Sequence, residues 1–224
     1  MKREKLAEKQ KNRFINGIYV NREYSWLLFN KRVLDQASDL TNPVLERGKF
    51  LSIFGSNLDE FFMVRAGSLY NEMLSHPRET DNKTGLTAAK QLDGICPVVK
   101  KLYAERSAVF NNLRKDLNKN GIKILREGEL TPRQREFCEN IFTSHILPLL
   151  SLMVLDAKHP LMQFENMRNY LLYDLEKDGR RMVGVMAVNS ALDRLYRVGG
   201  GKKIKLGPLE EILRAFGHLA FIGY

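Results

Sequence analysis

A stripe of apolar side chains, Leu92, Ile95, Val99, Leu102, Val109, Leu113 and Leu117, recurs at three, four or seven residue steps. That spacing places them on one side of an α-helix. A helix so long, wet on one side and apolar on the other, has to lay its stripe against partner helices. Pro97 within it lacks an N–H and crowds the preceding turn, so a kink is expected there. Asn120-Gly121 supplies a helix end.

The upstream sequence offers the partners. After an extended stretch expected around Ile15 to Val20, the residues Trp26, Phe29, Val33 and Ala37, with Leu27 and Leu34 beside them, read as an amphipathic helix. Asn42-Pro43 gives a capping side chain and then a proline at the first helical position, predicting a second helix over Val44 to Phe54 that Gly55 ends. A third helix is expected to start at Ser56-Asn57. There Asn57 accepts from free backbone N–H groups, Glu60 reaches back as in a capping box, and the body runs from Leu58 to about Leu74. Ser75 to Thr87 holds turn formers and charges without periodicity and reads as a mobile loop.

At Gly121 the pattern changes. Ile122 to Leu125 reads as a short strand, and Thr131-Pro132 caps a helix running to about Leu147, where Pro148 interrupts it. Tyr170 to Glu176 and Met182 to Val188 flank Asp178-Gly179, a dipeptide suited to the positive backbone angles of a tight hairpin. Leu195 to Val198 adds a candidate strand, Gly199 to Lys203 a flexible connection, and Pro208 the start of a final helix through Leu213 and Phe216. The expected architecture is a multidomain α+β chain: an all-α helical domain over residues 1–120, then an incomplete α+β domain over 121–224.

Composition narrows the class. At 224 residues and 44% hydrophobic the chain can bury one or two cores, so soluble domains are expected. Cys96 and Cys138 lack C-x-x-C spacing, no 18-residue apolar run exists, and the start is charged rather than signal-like; a reducing, cytoplasmic setting fits. The 36 basic and 26 acidic side chains leave +10. Residues 1–120 hold 21 and 14 of these, leaving 15 and 12 for the remainder. Such an excess favours polyanionic partners, whether nucleotides, polyphosphate, nucleic acid or an acidic membrane surface.

The densest cluster of polar side chains is Phe50 to Arg65, FLSIFGSNLDEFFMVR, with Asn57, Asp59, Glu60 and Arg65 close together. A helix amino terminus at Asn57 would suit an anion, and it would equally serve as a plain cap. Arg22, Arg32, Arg47 and Arg65 are candidates for a phosphate-attracting face, because guanidinium forks bind phosphate oxygens in pairs. Solvated helix faces carry such arginines too. Gly199-Gly200-Gly201-Lys202-Lys203 lacks the separated glycines and Lys-Ser/Thr of a P-loop and reads as a linker. His76, His145, His159 and His218 are scattered, with no metal-binding pair and no nucleophile arrangement.

The run Ile18 to Leu34, then Asn42 to Arg47 and the SNLDEFFMVR core, in this order and spacing, resembles the amino-terminal domain of polyphosphate kinases of the long, phosphohistidine-forming family. Gly121-Ile122, the Thr131 helix, Asp156 to Pro160 and the following hairpin are similar to that family's head domain. The resemblance runs from about Phe14 and implies reversible transfer of the terminal phosphate of ATP onto inorganic polyphosphate through a phosphorylated histidine, with magnesium. It implies ATP or ADP and polyphosphate as partners and homo-oligomers in full-length members. It also implies that Asn57 contacts the nucleotide, whereas the histidine nucleophile and magnesium ligands belong to later domains, so that no catalytic or metal residue is assigned here. Tyr224 falls inside what resembles the head domain. Leu209, Ile212, Leu213 and Phe216 are therefore expected to lose packing and leave apolar surface uncovered. A basic module that holds polyphosphate, RNA or a protein without chemistry is the alternative, and an interaction scaffold a third reading.

Overall fold

A computed structural model describes residues 19–156 and 163–223. Tyr224, His159 with most of the Asp156 to Pro160 motif, and all but the end of the Ile15 to Val20 stretch lie outside them. The chain divides into two compact units, Met1–Leu117 and Asn118–Tyr224.

The first unit is helical. Helix α1 (Arg22–Ser38) opens on Asn21, whose side-chain oxygen accepts from the N–H groups of Glu23 and Tyr24. Its buried side is Leu27, Asn30, Leu34 and Ala37, so the apolar stripe is rotated from the expected one. Phe29 is exposed, and Trp26 and Val33 are half-buried.

Helix α2 (Val44–Glu60) passes without a break into a π-helical segment, Phe61–Ala66, and on into α3 (Gly67–Ser75). This overturns the stop at Gly55 and the start at Ser56-Asn57. Leu51, Phe54, Leu58 and Phe61 are all buried, and this stripe crosses Gly55. Burying four such side chains is worth about 1.5–3 kcal/mol each, against roughly 1 kcal/mol for a helical glycine, so tertiary packing carries the helix through the local stop signal. Asn42 does not cap α2 either; its amide donates to the Gln36 carbonyl at 3.0 Å.

The loop before α4 is knit by Asp81, which accepts from the N–H and hydroxyl of Thr84, both at 2.7 Å, and by a bridge between Thr80 and Thr87. Helix α4 (Ala88–Lys119) continues through Pro97 and buries Ile95, Val99, Leu102, Leu113 and Leu117. Gly121, at φ +86°, turns the chain out of it.

The second unit holds two three-stranded sheets. In one, β1 (Ile122–Ile124) runs parallel to β6 (Ile204–Pro208), which pairs antiparallel with β5 (Leu195–Arg197). In the other, β4 (Arg180–Ala187) lies between β2 (Ser151–Leu155) and β3 (Tyr170–Lys177), antiparallel to both. The β3–β4 turn has Asp178 at φ 51° and Gly179 at φ 70°, the two positive angles this hairpin needs. Strands β2 and β6 were not legible beforehand.

Helix α5 (Pro132–Ile141) starts at Thr131, whose capping box with Gln134 is complete, and is followed by a π-helical turn, Phe142–Ile146. Helix α6 (Leu209–Phe216) buries Leu209, Ile212, Leu213 and Phe216 in one core with Phe142, Ile146, Met186 and Phe221. The expectation of uncovered apolar surface on this helix is therefore wrong. The sheets and α5 of this same chain cover it.

Candidate functional site

Helix α1 and the α2–π rod enclose a cleft of about 410 Å³ in the first unit. Its wall holds Asn57, Arg22 and Arg65, with the aromatic rings of Trp26, Phe29 and Phe61 and the carboxylate of Glu60.

The orientation of Asn57 follows from a chain of hydrogen bonds. Asn30, wholly buried on α1, donates its amide to the Phe54 carbonyl at 3.1 Å. A carbonyl can only accept, so the Asn30 side-chain oxygen faces the other way and accepts from the Asn57 amide at 2.9 Å. Asn57 thus spends a donor on Asn30, its side chain also lines the cleft, and its Oδ1 has no donor among the described residues. Its position is mid-helix. The capping role and the anion-binding helix terminus expected at Asn57 do not exist.

The arginines separate into different roles. Glu23, whose side chain is 3% exposed, accepts from Arg22 Nε at 2.8 Å and from Arg65 Nη1 at 3.3 Å. The Arg65 guanidinium also lies 6.0 Å from the Trp26 ring centroid. A buried carboxylate thereby holds two cations at the cleft, and both keep further N–H donors. Arg32 sits over Phe29, 5.8 Å from its centroid, outside the cleft lining. Arg47 is elsewhere altogether: buried, it donates Nε to the Ala37 carbonyl and Nη1 to Asp116, each at 3.0 Å. It ties the end of α1 to α4 and cannot attract phosphate.

Trp26 and Phe61 stack with centroids 4.7 Å apart and planes 24° off parallel. The π-helical register begins at Phe61, and within one widened turn it presents Phe61, Val64 and Arg65 to the cleft. Single π turns recur at functional sites because the extra residue re-aims side chains. Sequence reasoning missed Trp26, Phe61, Asn30 and Glu23. The signal available was Trp26 and Asn30, four apart on one helix, an aromatic and an amide on a face read as core.

Among the described residues no three His, Cys, Asp or Glu side chains converge as a metal ligand set. No helix among them is long and apolar enough to cross a membrane. The described residues thus offer no magnesium site built from three such protein ligands.

The fold joins a helical unit, carrying a cleft of aromatic, amide and guanidinium groups, to a smaller α+β unit. Residues 19–125 match the family described as polyphosphate kinase N-terminal domain, and residues 133–224 match the polyphosphate kinase middle domain. The chain belongs to the polyphosphate kinase family.

Among relatives, polyphosphate kinases of Bacillus anthracis and Bacillus cereus are each 41% identical over 214 residues, covering 92% of this chain. The crystal structure of polyphosphate kinase from Porphyromonas gingivalis superposes with a TM-score of 0.78 at 28% identity, covering 93% of this chain and 32% of that one. The chain spans about 30% of the length of the curated relatives it matches.

Proposed function

We propose that this chain supplies the base-recognising part of the ATP site of a polyphosphate kinase, the enzyme that moves the terminal phosphate of ATP to and from inorganic polyphosphate. The observation that carries the reading is the Asn30–Asn57 relay, which leaves Asn57 Oδ1 as an unused acceptor on a residue that lines the same cleft as the stacked Trp26 and Phe61 rings. An acceptor there suits the exocyclic amine of adenine and disfavours the carbonyl that guanine has at the same position. Arg22 and Arg65 offer guanidinium donors for the phosphates. ATP, polyphosphate and a homo-oligomeric full-length enzyme in the cytoplasm belong to this proposal, as does the magnesium that accompanies ATP as a phosphate-bound cation.

Trp26 is the single tryptophan of the chain, so its fluorescence reports on this cleft alone. ATP is expected to quench it saturably, GTP much less, and Asn57→Ala to weaken ATP by about five- to tenfold, the worth of one net hydrogen bond. Equal quenching by ATP, GTP and inorganic tripolyphosphate would sink the nucleotide reading in favour of a basic module that binds any polyanion. The chain alone is proposed to form no phosphoenzyme. His76 and His145 contact Ser75 and Ser144 respectively, and neither lines the cleft. Incubation with γ-labelled ATP and magnesium should leave no acid-labile label on the protein.

A further inference from the structure

The second unit contains a larger cavity that the nucleotide reading does not use. It measures about 690 Å³ and is formed where the start of α5 faces the β5–β6 connection. Arg133 reaches it from the first turn of α5, Arg197 from the end of β5, and Lys205 from β6. None of these three cations has an ion pair or side-chain hydrogen bond among the described residues, and no carboxylate lines the cavity. Lys205 also stands in register with Lys123 of β1. The partner of Lys123 is Glu129, at the long distance of 3.9 Å. Adjacent like charges on paired strands destabilise a sheet, and an anion drawn to Lys205 would offset that repulsion.

Two further features are those of an anion site. Gln134 is 8% exposed; its Oε1 accepts from the Thr131 N–H at 3.0 Å, which leaves its amide Nε2 without a partner among the described residues while the side chain lines the cavity. Gly199 and Gly200 bring backbone without side chains to the cavity lining, with open space where a Cβ would stand. Backbone N–H groups without side chains in front of them are what phosphate oxygens approach most closely. Gly199 and Gly200, the start of a stretch that fails as a P-loop by sequence, line this cationic cavity through the fold.

From this convergence we propose that the cavity binds an oligophosphate: a linear anion of several linked phosphates, with Arg133, Arg197 and Lys205 as charge partners and Gln134 Nε2 and the Gly199–Gly200 backbone as neutral donors. Its volume exceeds what one phosphate fills, and three separated cations suit a run of charges better than a single one. Phe137, 40% exposed in the wall, leaves one side apolar and so restricts the ligand to the cationic side. The site stands independently of the adenine cleft.

The test titrates the whole chain with inorganic tripolyphosphate and follows backbone and side-chain amide resonances. Gly199, Gly200 and the Gln134 side-chain amide are expected to shift saturably. Arg197→Gln with Lys205→Gln should weaken binding there by tenfold or more, while Asn57→Ala leaves it unchanged. Arg133→Gln, on an exposed first turn, guards against a folding artefact and should weaken it about threefold, as loss of one exposed charge contact does. Shifts spread over surface lysines without saturation, or a site unaffected by all three substitutions, would overturn the proposal. So would a single-stranded oligonucleotide of matched phosphate number that binds more tightly than tripolyphosphate. Trp26 fluorescence, recorded in parallel, keeps the fate of the adenine reading separate.

Discussion

Arginine positions that look alike in sequence do unlike work. Arg47 is buried with two bonds of 3.0 Å to Ala37 and Asp116, whereas the Arg22 side chain is 82% exposed. Arg47→Ala removes the partner of a carbonyl and of a half-buried carboxylate, and is expected to cost about 2–4 kcal/mol. Arg22→Ala should cost less, about 0.5–1 kcal/mol, because Arg65 still pairs with the buried Glu23 carboxylate. Urea denaturation of the two variants checks the ordering; equal losses would mean that the Arg47 bonds do not hold the helices together. The prominence of Arg22 and Arg65 was legible from charge type alone. Their separation from Arg47 was not, because it depends on which helix face is covered.

Among the helices, α1 and α4 meet at a point where a glycine is required. Gly94 of α4 lies under the Tyr24 ring, whose hydroxyl donates to the Gln91 carbonyl at 3.2 Å, and a Cβ on Gly94 would collide with that ring and hydroxyl. In an open helix interior Gly→Ala gains about 1 kcal/mol. Here Gly94→Ala is expected to lose about 1–3 kcal/mol through overpacking, and a second change, Tyr24→Leu, to restore part of it. Thermal melts of the single and double variants decide this; a stabilised Gly94→Ala would refute the close approach. The helix stripe of α4, the Thr131 cap of α5 and the Asp178-Gly179 hairpin were all readable, since each follows from period or turn chemistry within a few residues. The unbroken α2–π–α3 rod was not. Gly55 and Asn57 carry genuine local stop and start signals, and a buried stripe from Leu51 to Phe61 overrides them.

Across the molecule as a whole, alkaline unfolding should begin in the second unit. Tyr173 on β3 donates to the Leu213 carbonyl of α6 at 2.8 Å, and burial pushes its hydroxyl up to about 12 against an ordinary 10.0, with Arg214 opposing weakly. The folded state thus holds the proton more tightly than the unfolded state. The stability from this group is complete below about pH 10 and is lost as pH climbs toward 12. A pH titration of unfolding for the natural chain and Tyr173→Phe should show the variant's stability falling less steeply over pH 10–12; identical slopes would exclude Tyr173 as the sensitive group. The chain's +10 charge works at the same scale, favouring anions at both clefts and predicting weaker binding of either ligand as salt rises.

The sequence by itself determined a helical first half, a change of character at Gly121, a basic surface, and family motifs that include Asn57. These rest on interactions within a few residues or on order along the chain. Only the tertiary structure decided that Asn57 sits mid-helix with its amide bonded to Asn30, 27 residues away, and that Arg47 belongs to the scaffold. It also decided that the apolar face of α6 is covered by its own unit, and that Gly199 and Gly200 line one cavity with Arg133. Each of these depends on which distant segments meet. Packing energy summed over many buried side chains makes that choice, against local signals worth about 1 kcal/mol apiece.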